Sequence, residues 1–209
     1  MLLTEFDANR QAIINPEALH EPLEGFPKIA VSCFSRLTFQ RMLEMFPHEL
    51  IYEISMANVA IPIYKLVIDD NELAIFNAPV GSSACVGILE DIFVLGADKL
   101  VLFGTCGVLD EDIKETSIII PSHALRDEGT SFHYVEASDE IAVNVGVLDH
   151  FRSYLNERQI SHKEGKVWTT DGIYRETNGK LKARKAAGAI CVDMECSAVA
   201  ALAKFRGVD

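Results

Sequence analysis

Basic residues are scarce in this chain of 209 residues, which has 19 lysines and arginines against 31 aspartates and glutamates and a formal net charge of −12. A protein that binds the phosphate backbone of nucleic acids needs a basic face, because that backbone contributes much of the affinity through its charge. The acidic balance therefore predicts no nucleic-acid partner. A small anion can still be bound locally, since helix N-termini oppose the global charge.

Long apolar runs and targeting signals are also missing. No stretch reaches the roughly 18 apolar residues of a membrane span, and no charged N-terminal region is followed by an apolar one. The five cysteines form no CxxC pair and lie in apolar or small-residue runs, which is typical of buried free thiols in a reducing compartment. We therefore expect a cytoplasmic protein that has no association with membranes.

Several motifs of metal and nucleotide chemistry are absent as well. The sequence has no HExxH helix, no cluster of histidine and cysteine with metal spacing, and no Gly-x-Ser-x-Gly elbow. The Gly-Lys-Ser/Thr ending of a Walker loop is also missing. The sequence therefore predicts no metal site and no nucleoside triphosphate loop.

An alternation of strand-like and helix-like segments follows an irregular start. Residues 1–27 are polar and hold three of the seven prolines, so we expect an N-terminal arm there and one domain over 28–209. Strand-length apolar runs lie at 28–34, 61–68, 72–80, 100–103, 117–121, 165–170 and 189–195. Helical spacing follows at 35–46, 82–95, 141–158 and 196–206, with Ser82 or Ser83 as a cap for the second helix. This alternation predicts an α/β sandwich with a central, largely parallel sheet.

Small and polar residues cluster where the predicted strands end, which is where such sheets bind ligands. Three of these junctions and a fourth polar segment are Gly81-Ser82-Ser83, Gly104-Thr105-Cys106-Gly107, Asp193-Met194-Glu195 and 169–176. The first two can hold an anion or a sugar with backbone amides, or they can be a helix cap and a plain glycine turn. Both interpretations stay open from the residues alone.

The two acids at Asp193 and Glu195 flank a methionine at the end of a run that should be buried. Buried carboxylates need partners, because their desolvation is unfavourable by several kcal/mol. Such a carboxylate can accept hydrogen bonds from the vicinal hydroxyls of a ribose, while Met194 packs against the sugar. The alternative is a pair of acids that the helix macrodipole favours at a helix N-terminus.

Four segments carry a resemblance to a known enzyme family. They are ICVDMECSAVAALA at 190–203, VWTTDGIYRET at 167–177, GTCGVL at 104–109 and RDEGTSFHY at 126–134. Their order and spacing resemble the nucleoside phosphorylase family, which includes purine nucleoside and uridine phosphorylases and related nucleosidases, from about Lys28 to Val208. The resemblance implies phosphorolytic cleavage of the N-glycosidic bond of a purine or pyrimidine nucleoside, which yields the free base and ribose 1-phosphate.

The family's properties give expectations for this chain. They imply a three-layer α/β/α sandwich with a central mixed sheet, and a homo-oligomer (dimer, trimer or hexamer) whose subunits complete each other's sites. Inorganic phosphate would be the co-substrate, without a metal or an organic cofactor. The ribose would be bound by Gly81, Asp193, Met194 and Glu195. Phosphate would be bound by Ser32, Arg36 and Thr105, and the base by Thr170, Asp171, Ile173 and Tyr174.

Departures from the family pattern bear on the reaction. Ser32 replaces a glycine of the phosphate loop, and Leu102 replaces an arginine that many phosphorylases have. Loss of that guanidinium removes a bidentate phosphate partner, as in nucleosidases that use water, so a nucleosidase is the alternative. The family continues past the position of Asp209 into a strand whose aspartate protonates the base. We therefore expect the general acid beyond Asp209 and the C-terminal part of the domain missing from this chain.

The identity of the base stays open at this point. No Gln/Arg insertion of the uridine type follows Tyr174, which favours a purine or an unusual base, and Ile173 replaces an aromatic that often stacks on the base. A nucleoside-binding protein without turnover is a third interpretation. It is supported by Leu102 and by the lack of a counterpart for the general acid.

Overall fold

The computed structural model describes residues 2–114, 117–143 and 147–209. Ten strands lie in this described part of the chain: β1 (Ile29–Cys33), β2 (His48–Ser55), β3 (Ala60–Ile68), β4 (Asn71–Asn77), β5 (Lys99–Phe103), β6 (Gly107–Val108), β7 (Ile118–Asp127), β8 (Glu140–Ala142), β9 (His162–Thr170) and β10 (Ala189–Asp193). They form two five-stranded sheets, in the orders β2-β3-β4-β1-β5 and β6-β10-β9-β7-β8. The predicted α/β class with mixed strand directions is confirmed, and the strands are divided between two sheets.

Each sheet has a parallel centre with antiparallel additions. Strands β4, β1 and β5 are parallel in the first sheet, and β10, β9 and β7 are parallel in the second. Strands β2 and β3 extend the first sheet as an antiparallel meander, while β6 and β8 pair antiparallel in the second. Because parallel strands point the same way, their carboxyl ends meet at one edge of each sheet.

The described helices are α1 (Arg36–Met45), α2 (Ser82–Leu95), α3 (Leu148–Glu157), α4 (Asn178–Ala186) and α5 (Cys196–Arg206). The largest core cluster joins α2 to the first sheet and to α5, through side chains that include Phe76, Ile88, Leu89, Ile92 and Leu202. Each is fully buried or nearly so. Burial of one such large apolar side chain contributes about 1.5–3 kcal/mol, so this cluster anchors α2 and α5 against each other.

Local sequence signals predict both ends of α1 and the C-terminal end of α2, but not the N-terminal cap of α2. The Ser35 hydroxyl accepts a hydrogen bond from the Thr38 amide at 3.2 Å and caps α1, which ends ahead of Pro47 as expected. Gly96 ends α2, also as expected. The predicted serine cap of α2 is wrong, because the capping position is Gly81 and no side chain caps it.

The predicted helix over Ile141–Arg158 is wrong in its first part. Residues Glu140–Ala142 are strand β8, in which Ile141 lies opposite Ala124 of β7, and the helix begins only at Leu148. Val145 lies outside the described residues. Ile141, the first of the apolar side chains that suggested a helix, is buried where β8 pairs with β7 instead. Strand β2 was not predicted, and Ile54 is its one buried residue.

His20 in the N-terminal segment and Asp209 at the C-terminal end both contact the rest of the domain. The Nδ1 atom of His20 lies 3.1 Å from the Tyr52 hydroxyl, and its Nε2 atom lies 3.4 Å from Asp91 Oδ1. After α5 the chain returns to β5, where Asp209 N donates to Asp98 O and Asp209 O accepts from Leu100 N. In the described residues, none of the helices is long and apolar enough to span a membrane.

Candidate active site

A short hydrogen bond joins the carboxyl edges of the two sheets. The amide of Gly81, which follows β4, donates to Oε1 of Glu195, which follows β10, at 2.6 Å. The Ser82 hydroxyl donates to the carbonyl oxygen of Met194 at 2.6 Å. Two of the junctions predicted from the sequence are therefore in direct contact, and the N-terminal ends of α2 and α5 are held together there.

Gly81 has a backbone conformation that explains its residue type. Its φ is +102°, a value that L side chains rarely adopt, and it directs the amide toward Glu195. A side chain at this position would strain the turn that begins α2. The conformation therefore supports the prediction that Gly81 begins a loop at the site.

Glu195 is a buried carboxylate that has no cationic partner among the described residues. Its residue is 6% exposed, and no side chain in the described part of the chain makes a hydrogen bond or ion pair with it. Burial raises its pKa and the charge of Asp193 raises it further, while the amide of Gly81 lowers it. A buried carboxylate held only by backbone amides can accept additional hydrogen bonds from ligand hydroxyls, which would offset its desolvation.

Asp193 lies beside Glu195, but its oxygens are already engaged. Oδ1 accepts from the Thr169 hydroxyl at 2.7 Å, and Oδ2 accepts from the amides of Cys196 at 2.8 Å and Glu195 at 3.3 Å. Burial raises its pKa, whereas these three donors lower it. The geometry thus favours a different interpretation for each acid: Asp193 caps the N-terminus of α5, and Glu195 is directed away from the helix toward Gly81.

The Gly104–Gly107 turn connects the two sheets as well. A Cβ atom on Gly104 would lie 2.7 Å from Phe34 Cδ2, and one on Gly107 would lie 2.8 Å from Val192 Cγ1. Packing against neighbouring strands therefore requires both glycines, whether or not a ligand is bound. Thr105 is exposed between them. Its hydroxyl and amide are placed at the same edge as the ends of β1 and β10.

The two other predicted phosphate contacts differ sharply from each other. Arg36 begins α1 at the carboxyl end of β1, is exposed and makes no ion pair among the described residues. Ser32 is fully buried, and its hydroxyl donates to the carbonyl of Phe76 at 2.8 Å and accepts from the amide of Ala78 at 3.1 Å. The Ser32 hydroxyl therefore links β1 to the chain that follows β4, and a phosphate contact from Ser32 stays a prediction.

The predicted base-binding residues follow β9. Thr170 is buried and accepts from the amide of Gly172 at 3.2 Å, while Asp171 accepts from the amide of Gly129 at 2.9 Å. Ile173 is 55% exposed and Tyr174 is 93% exposed. The structure therefore places Thr170 and Asp171 in the turns that shape this edge, and leaves Ile173 and Tyr174 open to solvent or to a ligand.

A sequence model of the phosphorylase superfamily matches residues 28–209. The chain belongs to this superfamily. Among curated relatives, the guanosine phosphorylase of Halorubrum lacusprofundi is 23% identical over 148 residues, which cover 69% of this chain and 61% of that enzyme. The chain thus spans less than two thirds of that relative.

Solved structures with the same fold include both phosphorylases and hydrolases. A uridine phosphorylase from Vibrio fischeri superposes with a TM-score of 0.81 at 20% identity, over 95% of this chain and 82% of that chain. The futalosine hydrolase of Helicobacter pylori superposes with a TM-score of 0.71 at 20% identity, over 88% of this chain and 81% of that chain. The superfamily fold is therefore shown, and it is compatible with either reaction.

Sequence patterns did not reveal one polar group of this superfamily member. Glu128, in the chain that follows β7, is 5% exposed and contacts α5, and no local spacing in the sequence indicates that contact. The segment RDEGTSFHY was the available signal, since it places an acid directly after a strand. Within residues 2–114, 117–143 and 147–209, no group of three or more histidine, cysteine or acidic side chains could hold a metal ion.

The thiols near the Gly104–Gly107 turn have pKa values shifted in opposite directions. A hydrogen bond from Cys191 lowers the pKa of Cys106, although burial and the charge of Asp193 oppose the shift. That bond and burial raise the pKa of Cys191, and burial raises it for the other three cysteines. The thiolate is the reactive form, so we expect iodoacetamide at neutral pH to modify Cys106 about tenfold faster than any other cysteine.

Peptide mapping by mass spectrometry measures this order of labelling. The Cys106→Ser variant is the control and should lose the fast site while the slow sites keep their rates. Equal labelling of Cys33 or Cys196 at early times would contradict the assignment of Cys106 as the reactive thiol.

Proposed function

We propose that this chain is a nucleoside phosphorylase, a pentosyltransferase that cleaves the N-glycosidic bond of a purine or pyrimidine nucleoside with inorganic phosphate. The observation that carries the proposal is Glu195, a buried carboxylate at the edge where both sheets meet that has no cationic partner in the described part of the chain. Membership in the phosphorylase superfamily supports the reaction class. The guanosine phosphorylase of Halorubrum lacusprofundi is 23% identical over 61% of its length, so the substrate and the use of phosphate are part of the proposal.

In the proposed reaction, Glu195 accepts hydrogen bonds from the ribose hydroxyls. Met194 packs against the apolar side of the sugar, and Gly81 lies close to it. Loss of the base leaves positive charge on the ribose, which a nearby carboxylate stabilises more in the transition state than in the ground state. Glu195 is already held by the Gly81 amide at 2.6 Å, so little reorganisation accompanies the step.

Phosphate would lie between Arg36 and Thr105 and attack the anomeric carbon. Both residues are exposed at the carboxyl edge of the first sheet, Arg36 at the start of α1 and Thr105 on the turn that follows β5. The base would lie against Ile173 and Tyr174, with Thr170 and Asp171 shaping the turn beneath it. We assign no described residue as general acid, and propose no cofactor besides phosphate. A homo-oligomer in the cytoplasm stays a prediction from the family resemblance and composition.

A nucleosidase that uses water is the second candidate, and Leu102 favours it. This side chain packs against the large apolar core around α2, so the position where many phosphorylases have an arginine is filled by core packing. Arg36 would then be the only guanidinium that we assign to phosphate. A weaker phosphate site would shift the reaction toward hydrolysis.

Base release from a panel of purine and pyrimidine nucleosides, with and without phosphate, tests the proposal on the natural full-length protein. We expect release that requires phosphate and forms pentose 1-phosphate, because phosphate is the proposed nucleophile. Equal rates of base release in phosphate-free buffer would contradict the phosphorylase and identify the protein as a nucleosidase. Nucleoside binding without release from any substrate would indicate a binding protein and contradict both enzymes.

A further inference from the structure

A chain of buried hydrogen bonds leads from the loop after β7 to the first turn of α5. Glu128 uses both carboxylate oxygens in it: Oε1 accepts from the Ser197 hydroxyl at 2.9 Å, and Oε2 accepts from the Ser131 amide at 2.9 Å. All three residues are at most 5% exposed. Bonds to a buried carboxylate are charge-assisted, and are therefore stronger and more directional than those between neutral groups.

The same chain of bonds reaches the capping residues of α5. The amide of Ser197 donates to the Thr169 hydroxyl at 3.1 Å, and that hydroxyl donates to Asp193. Asp193 in turn accepts from the amides of Glu195 and Cys196. Each of the amides at 195, 196 and 197 therefore has a side-chain acceptor, and Glu195 is at the point where this rigid turn begins.

We propose that Glu128 and Ser197 are positioning residues that hold the first turn of α5 in place and thereby aim Glu195 at the ribose. The expected effect on catalysis rests on the proposed function. The expected effect on the position of Glu195 rests only on its contact with Gly81. Neither residue touches the ligand; both act through the backbone of α5. A shift of the turn by a fraction of an ångström would misalign the carboxylate, which is enough to weaken catalysis.

Two serines in this network provide a matched pair for the test. Ser131 and Ser197 are both 0% exposed, and each hydroxyl has a charged partner: Arg126 Nε donates to Ser131 Oγ at 2.8 Å, and Ser197 Oγ donates to Glu128 at 2.9 Å. The Ser131→Ala variant keeps its backbone bond to Glu128. The Ser197→Ala variant keeps the amide bonds to Thr169 and Asp193 but loses the hydroxyl link between Glu128 and α5, so only this substitution loosens the turn that carries Glu195.

The kinetic measurement compares kcat/KM for base release in the two variants with their urea unfolding midpoints. We expect Ser197→Ala to lower kcat/KM about tenfold and Ser131→Ala to change it by less than about twofold, at similar losses of stability. In the Glu128→Gln background, Ser197→Ala should have a smaller effect, because the two residues act through one contact. Equal kinetic losses in the two serine variants would overturn the proposal and leave a structural role only.

A measurement that needs no turnover separates this proposal from the proposed function. The amide proton of Gly81 donates to Glu195 at 2.6 Å, so its NMR chemical shift reports the placement of the carboxylate. We expect Ser197→Ala to move this resonance upfield and Ser131→Ala to leave it in place. An unchanged Gly81 resonance in Ser197→Ala would overturn the positioning role, whether or not the wild type releases a base. A wild type without base release would instead refute the proposed function alone.

Discussion

Replacement of Glu195 by alanine should lower kcat/KM for base release by a factor of about several hundred. The wild-type carboxylate would accept two hydroxyl hydrogen bonds from the ribose, and each such bond to a charged acceptor contributes roughly 1.5–3 kcal/mol. Truncation to alanine removes both bonds together with the developing electrostatic stabilisation of the sugar. Initial rates of base release over a range of nucleoside concentrations measure this loss.

The isosteric variant Glu195→Gln separates the charge from the shape of the side chain. It keeps an oxygen that can accept from the Gly81 amide, so the contact between α2 and α5 should persist. It should still lose most of the activity, because its amide nitrogen cannot accept from a hydroxyl. The exposed Glu157 at the end of α3 gives the control Glu157→Gln, which should match wild type.

Stability should move in the opposite direction to activity. The pKa of Glu195 is raised in the folded state, mainly by burial, so its ionised form is disfavoured there. Its contribution to stability is therefore largest below the pKa of the unfolded chain, and it declines as pH rises through the folded pKa. We expect Glu195→Gln to be at least as stable as wild type at neutral pH, with the difference shrinking in acid. Full activity in this variant would refute the sugar assignment.

The sequence predicted those elements whose signals are local. The apolar run Leu100–Phe103 lies within β5, and α2 ends at Gly96 as expected. Both signals are local, because an apolar run and a helix-ending glycine affect the conformation of adjacent residues. The small and polar junctions after β4, β5 and β10 were also predicted, since parallel strands bring their carboxyl ends together. The structure adds the Gly81–Glu195 contact, which joins residues 114 positions apart in the chain.

Other features depend on partners that are distant in the chain. The spacing of Ile141 and later apolar residues suited a helix, but pairing with β7 made the first of them a strand residue. Ser32 occupies a position of the family's phosphate loop, yet two backbone groups near β4 use its hydroxyl. Asp193 and Glu195 are equivalent by local sequence, and only the position of the α5 amides distinguishes the capping acid from the acid that contacts Gly81.

Replacement of Asp127 by alanine should lower the free energy of unfolding by about 2–3 kcal/mol. Oδ2 of Asp127 accepts from Trp168 Nε1 at 3.0 Å, and Trp168 is fully buried, so truncation leaves its N–H without an acceptor. An unsatisfied buried donor destabilises by roughly 1–3 kcal/mol. The same oxygen lies 3.1 Å from Lys180 Nζ and 3.3 Å from Arg184, but both cations are partly exposed, so these ion pairs add only about 0–1 kcal/mol.

Urea unfolding of Asp127→Ala beside Asp127→Asn separates the two contributions. Asparagine retains a carbonyl oxygen for Trp168 and should recover most of the loss, whereas the exposed control Asp149→Ala should stay within about 0.5 kcal/mol of wild type.

Burial disfavours ionisation of Asp127, but the bonds from Lys180 and Trp168 and the charge of Arg184 outweigh it and lower its pKa. The stability that the ionised Asp127 contributes should therefore be fully present above the unfolded-state pKa of about 3.9. It should be lost as the pH falls through the lower pKa of Asp127 in the folded protein. An Asp127→Asn variant as unstable as Asp127→Ala at neutral pH would show that the charge, and not the Trp168 hydrogen bond, dominates.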